Sequence, residues 1–256
     1  SPCRASPNSP RSQPQHGNLA PTTKPHSLMK TRLLNCLALA SLTAVLGCSD
    51  PADNVPEAVV TDVVKETPNE SAAIGAKPTA APASATAKTY AISSDSKIDF
   101  LASKAVGGET PGGFKKFTGQ LNVVDGKLAA SGSKIVIDME SIWTNNEKLT
   151  AHLKNADFFD VPKFPTSTFA VTKVVARNDA YNITGDLTMH GITKSVTIPA
   201  KVQISDDKIT LKSESSINRF EFDMKFEGQK DNMIRDRVVL TFDVTATPGT
   251  ADFSAL

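Results

Sequence analysis

From residue 89 onward, apolar and polar side chains alternate with a period of two, the pattern of strands that bury one face. Ile98, Phe100 and Ala102 share one side of such a segment, Phe117, Gly119, Leu121 and Val123 the next, and Ile135, Ile137 and Met139 a third. The alternation resumes at Phe169 and Val171, runs through Tyr181, Ile183, Leu187 and Met189, and continues in Val196, Ile198, Ala200, Val202 and Ile204. Ile209, Leu211 and Ile217, then Val238, Leu240, Phe242 and Val244, bring the count to about eight strands. Asp125-Gly126 fits a type I′ hairpin turn, Asp206-Asp207 and Arg177-Asn178-Asp179 separate further runs, and His190-Gly191 offers a tight turn or a bulge. Short connectors of this kind predict an all-β, up-and-down antiparallel barrel whose interior fills with side chains or holds one small ligand. A two-sheet sandwich is the alternative.

Residues 144–169 break the alternation. Thr144 as N-cap with Glu147 three residues on forms a capping box, and Leu149, His152, Leu153 and Ala156 follow at helical spacing. The helical pattern ends at Asp157-Phe158-Phe159-Asp160, and Pro162 and Pro165 bias the residues before them toward extended backbone. One helix and a Phe-rich turn within a barrel predict a lid at its mouth. The glycine-rich run from Gly107 to Gly113 reads as a mobile loop.

The chain ahead of the barrel has a different character. Residues 1–28 are rich in Pro, Ser and basic side chains, predict disorder, and read as an upstream extension before a start at Met29. Lys30 and Arg32 precede an apolar run at residues 33–46, shorter than the roughly 20 residues that span a bilayer, so residues 29–47 read as a signal peptide. Val45-Leu46-Gly47-Cys48 resembles a bacterial lipobox, although Leu46 is bulkier than the usual residue there. On that reading Cys48 is acylated and Ser49 directs the protein to the outer membrane, on its periplasmic side; ordinary secretion after cleavage elsewhere is the alternative. Residues 48–88 read as a flexible linker with a reach of roughly 35 Å, in which residues 59–64 pair only transiently. The barrel domain is then residues 89–247, followed by a tail at 248–256.

Composition narrows the chemistry. Lys and Arg number 28 against 27 Asp and Glu in the whole chain, and 20 against 20 within residues 89–247. No basic stripe interleaves with aromatics, so nucleic acid is not an expected partner. Cys3, Cys36 and Cys48 all precede the domain, which leaves it no disulfide framework. His152 and His190 have no metal-ligand spacing around them, and neither a nucleophile elbow nor a phosphate loop occurs, so no cofactor or metal is expected. His152 reads as a hydrogen-bonded structural residue and His190 as a turn residue. Arg219 interrupts an aromatic segment and needs either a carboxylate such as Glu221 or Asp157 or a ligand head group. Ile234-Arg235-Asp236-Arg237 reads as a solvated, self-paired charge patch.

Three blocks carry a family resemblance: Asn146-Glu147-Lys148 with His152-Leu153, Asp157 to Asp160, Phe164-Pro165 and Thr168-Phe169; Gly185 to Lys194; and Ile217-Asn218-Arg219 with Phe222. Together they resemble the YceI-like proteins across residues 89–247. The resemblance implies a lipocalin-like barrel exported to the periplasm, with an elongated apolar cavity for polyisoprenoids or similar long-chain amphiphiles. Lys148 stands where many members have Arg, and Asp223 where many have Gly, which points to a changed head-group preference. The expected function is noncatalytic carriage or sequestration of such a ligand. A membrane-tethered protein-interaction module with a filled barrel, using the lid or the Arg235/Arg237 edge, is the alternative, and an enzyme would need His152 or His190 to meet a carboxylate in a cleft. Candidate ligand-binding residues are Phe100, Phe117, Leu121, Ile137, Phe169, Leu187, Ile198 and Phe242, with Trp143, His152, Phe158 and Arg219 near the rim. Expected partners are that ligand and, through Cys48, the membrane, with a homodimer left open.

Overall fold

The computed structural model describes residues 50–63, 86–177, 180–226, 228–229 and 232–254. The expected signal and acylation motif, and residues 1–28, lie outside the described residues. In chain order the strands are β1 (Val59–Asp62), β2 (Ala87–Ile92), β3 (Lys97–Ser103), β4 (Glu109–Phe114), β5 (Phe117–Val124), β6 (Lys127–Asp138) and β7 (Ile142–Thr144). After the helix α1 (Glu147–Leu153) come β8 (Thr166–Arg177), β9 (Ala180–Met189), β10 (Ile192–Ile204), β11 (Ile209–Asn218), the short β12 (Gly228–Gln229) and β13 (Asn232–Met233), and β14 (Arg237–Pro248).

Among the described residues, eight strands close into a ring of antiparallel neighbours in the order β2, β5, β6, β8, β9, β10, β11 and β14, with β14 returning to β2. The inward side of each stave supplies the core. Leu121, Val123, Ile183, Val196, Ile209 and Val244 are all buried there. Each such side chain contributes about 1.5–3 kcal/mol on leaving water. The turns follow the sequence: Asp125 and Gly126 both take positive φ (51° and 74°), as do His190 and Gly191 (51° and 75°), which is type I′ geometry.

Several expectations need correction. The strand carrying Ile98, Phe100 and Ala102 is not a stave of the ring; Ala87–Ile92 is. Both lie along the same side of β14, β2 against Ala246 to Pro248 and β3 against Val239 to Asp243. From β14 the sheet branches through β3 and β4 to β7, toward the end of the barrel where β14 begins. The glycine-rich run is therefore half strand. Gly112 is buried against the Phe100 ring, and a Cβ there would lie 2.6 Å from the Trp143 carbonyl oxygen, so β4 needs a residue without a side chain. The cap of α1 is Asn146, whose side chain accepts from Leu149 N at 3.2 Å; Thr144 belongs to β7 and bonds Thr150 instead.

The largest correction concerns the linker. Residues 50–62 are a strap built into the barrel wall. The ladder between β10 and β11 stops at Lys201 and Lys212, two residues short of Pro199, which has no N–H to extend it. The strap fills the seam that opens beyond. β1 pairs antiparallel with β10 from Val59 and Thr197 to Asp62 and Lys194, while Ala58 N donates to Ser216 O at 2.8 Å and Ser216 N to Pro56 O at 2.9 Å. Ala52 and Ala58 are buried. Arg235 lies 3.5 Å from Asp50 and Arg237 donates to Asp53, so the arginines of the expected self-paired patch instead pair with the strap's carboxylates. Small apolar residues among Pro, Asp and Glu leave no alternation, which is why this stretch read as tether.

Candidate functional site

Among the described residues, an outer and an inner cavity occupy the mouth half of the barrel. The outer one, about 460 Å³, lies between α1, β3 and the segment leading into β14. Its walls are Phe100, Leu149, Leu153, Phe158, Phe226 and Ile234, with Ser103, Lys104, Thr110, Asn146 and His152 as polar members. The inner one, about 60 Å³, lies within the ring and is lined almost wholly by apolar side chains, among them Ile98, Phe114, Ile137, Phe169, Leu187, Met189, Ile198 and Phe242. Phe100 faces the outer cavity, Phe114 the inner, and their rings touch with centroids 6.1 Å apart. Phe159 packs edge-on against Phe114 at 6.2 Å, so residues of the Phe-rich turn back this partition.

The lid is held by His152. Its Nε2 lies 2.9 Å from Asp157 Oδ2, and the ring meets Phe158 and Phe226 edge-on at 5.1 and 4.9 Å. One side chain thus ties the helix to the turn after it and to the segment across the cavity. This is also the His–carboxylate pair in a cleft that general acid–base chemistry requires. His190 Nδ1 donates to Phe222 O at 3.0 Å and its ring meets Phe164 at 5.2 Å, which joins the β9–β10 turn to the Arg219–Phe222 segment.

Arg219 is buried and directs its guanidinium at main-chain carbonyls, those of Met224, Ile234 (3.4 Å) and Arg235 (3.2 Å). It holds in place the two segments that carry Phe226 and Ile234 into the outer cavity. The two carboxylates considered as its partners are engaged elsewhere, Asp157 with His152 and Glu221 at 3.6 Å from Lys194. Asp223 sits in left-handed backbone (φ 59°) where a glycine is favoured, and it pairs with Lys225. That position shapes a turn and lines neither cavity. Lys148 is exposed on α1 and also lines neither.

The structure divides the sequence-derived candidates. Phe100, His152 and Phe158 line the outer cavity; Ile137, Phe169, Leu187, Ile198 and Phe242 line the inner one. Phe117, Leu121, Trp143 and Arg219 line neither. Sequence reasoning missed Phe114, which ends a glycine-rich run, Phe226, the last apolar position of the alternating run Phe220, Phe222, Met224 and Phe226, and Ala58, which reaches the inner cavity from the strap. Ser215 also faces the inner cavity with its hydroxyl unpartnered. Among the described residues, no cluster of His, Cys, Asp and Glu has the arrangement to hold a metal ion.

A family model described as the YceI-like domain matches residues 90–246. A UPF0312 protein of Vibrio vulnificus is 35% identical over 126 residues, covering 48% of this chain and 67% of that protein. Protein YceI of Escherichia coli O157:H7 is 40% identical over 91 residues, 36% of this chain and 48% of its own length. Among solved structures, BcnA of Burkholderia cenocepacia superposes with a TM-score of 0.54 at 27% identity, over 59% of this chain and 96% of that one. A polyisoprenoid binding domain from Saccharophagus degradans, implicated in plant cell wall breakdown, superposes with a TM-score of 0.52 over 64% of this chain and all of that domain. At 15% identity the second likeness concerns the fold alone.

Proposed function

The chain belongs to the YceI-like domain family, and from that premise we propose that it binds and carries or sequesters a long apolar ligand, a polyisoprenoid, an isoprenoid quinone or a similar lipid, in the cell envelope, and performs no chemistry on it. The observation that carries this reading is the outer cavity, whose volume falls within the roughly 300–1,000 Å³ of ligand pockets and whose walls are mostly aromatic and aliphatic. The inner cavity continues it in character behind the Phe100–Phe114 partition. A chain-like ligand enters at the outer cavity, and movement of those two rings gives it the barrel axis. With them belongs the amino-terminal reading: residues 29–47 direct export, and an acylated Cys48 anchors the protein to the outer membrane on its periplasmic side.

A second reading is favoured by a specific observation, the 60 Å³ inner cavity, which is too small for any chain as it stands. On that reading the barrel stays filled and the tethered domain binds a protein partner. Organic extraction of the natively purified protein followed by mass spectrometry, with uptake of a fluorescent isoprenoid probe, separates the two. A lipid-like species at stoichiometric level supports the carrier. Repeated absence of any such species together with no probe uptake overturns it.

A further inference from the structure

The described part of the strap begins at the mouth. Asp50 is buried there: its Oδ1 accepts from Ala52 N and from Ser103 Oγ, both at 3.1 Å, and its Oδ2 lies 3.5 Å from Arg235 Nη1. Ser103 ends β3 and Arg235 precedes β14, and the two are themselves joined, Arg235 N donating to Ser103 O at 2.9 Å. One step further out, Ala105 N donates to Met233 O at 2.8 Å, so the loop after β3 and the segment after β12 form one double rim. Asp50, Ala105, Met233, Ile234 and Arg235 line a common cleft.

That rim exposes apolar surface. Val106 is 68% and Met233 45% exposed, and among the described residues the third large apolar side chain so placed is Val59, on the strap itself. Lys104, also exposed, precedes Val106 and reaches the wall of the outer cavity. A long aliphatic stem with a terminal ammonium beside exposed apolar side chains suits the boundary between lipid head groups and acyl chains.

Asp50 follows Cys48 by two residues, a span of at most about 7 Å of extended chain. We propose that the rim formed by Val106, Met233 and Lys104 rests on a lipid surface, so that the outer cavity opens toward the bilayer and the ligand passes between membrane and cavity without crossing water. This rests on the reading of Cys48 as an acyl anchor. A docked strap turns that anchor from a loose leash into a fixed mount, because the chain is held at the mouth from Asp50 onward.

The test uses the full chain with its own leader, recovered from membranes. The mass of its amino-terminal peptide reports whether Cys48 carries acyl chains. Val106→Cys, Met233→Cys and, in the turn at the opposite pole, Asp207→Cys each introduce a thiol into a domain that has none, for labelling with an environment-sensitive fluorophore. The labelled proteins are reconstituted into phosphatidylethanolamine/phosphatidylglycerol vesicles containing a spin-labelled lipid. Quenching several-fold stronger at positions 106 and 233 than at 207 is the expected result. With Cys48 acylated, equal quenching at the three positions overturns the docking and leaves the anchor standing. An unmodified Cys48 overturns both.

Discussion

Phe100 and Phe114 meet at 6.1 Å with their rings tilted by 54°, and this contact separates the outer cavity from the barrel interior. Because each ring lines a different cavity, removing one joins them. Phe114→Ala is expected to produce a continuous cavity, to raise uptake of an isoprenoid probe, and to cost about 3 kcal/mol in stability, the low end for a truncated core phenylalanine. Probe titration and thermal unfolding of the same preparation check both arms. A destabilised variant with unchanged uptake means that the partition does not limit entry.

His152 holds the lid through one carboxylate and two aromatic edges. His152→Ala is expected to destabilise the fold by about 1–3 kcal/mol and to speed ligand release, since edge contacts of this kind contribute about 0.5–1.5 kcal/mol each. Exchange of bound probe, followed by fluorescence, measures the release. Substrate turnover in the natural protein that disappears in this variant would instead give the His152–Asp157 pair a chemical role.

Arg219 distinguishes scaffold from head-group contact. In Arg219→Lys an ammonium replaces a planar fork that now serves several carbonyls, and about 2–3 kcal/mol of stability is expected to be lost. Preference among probes with different head groups should stay as it was. A change of preference at unchanged stability would identify Arg219 with the ligand instead.

The strap is fastened by charge as well as by backbone. The Lys194 ammonium is held above its ordinary value by its hydrogen bond to Asp62, with the Glu221 carboxylate adding to the effect. A raised folded-state pKa means this contribution is complete below lysine's unfolded pKa and is lost as pH rises through the higher folded value. Protease cleavage within residues 50–62 is therefore expected to quicken in the alkaline range, before the barrel itself unfolds. Arg235→Ala, which leaves the buried Asp50 carboxylate without its cation, should bring the same cleavage to neutral pH, as hydrogen exchange over residues 50–62 would report.

What the sequence made legible was whatever repeats or carries a distinctive turn. Period-two alternation located most staves because one face of each is buried along its length, and Asp125-Gly126 and His190-Gly191 marked turns because only such pairs accept two positive φ angles readily. The helix was placed correctly and its cap was not. Thr144 and Asn146 both suit that role, and the choice depends on Thr144 being claimed by β7, a long-range pairing invisible locally. Phe114 and Ala58 were missed for related reasons. A glycine run that reads as a loop becomes a strand where Phe100 and Trp143 press against it, and a small residue becomes wall where two strands part.

The matched family region begins at residue 90, but the wall of this barrel does not. A fragment started there would lack β1 and present the backbone of β10 from Lys194 to Thr197 as a bare edge on a closed fold. Edges of that kind pair with whatever strand is available, and the nearest is the identical edge of another copy. Such a fragment would dimerise or aggregate for reasons foreign to the intact chain, and its oligomeric state would say nothing about the native one.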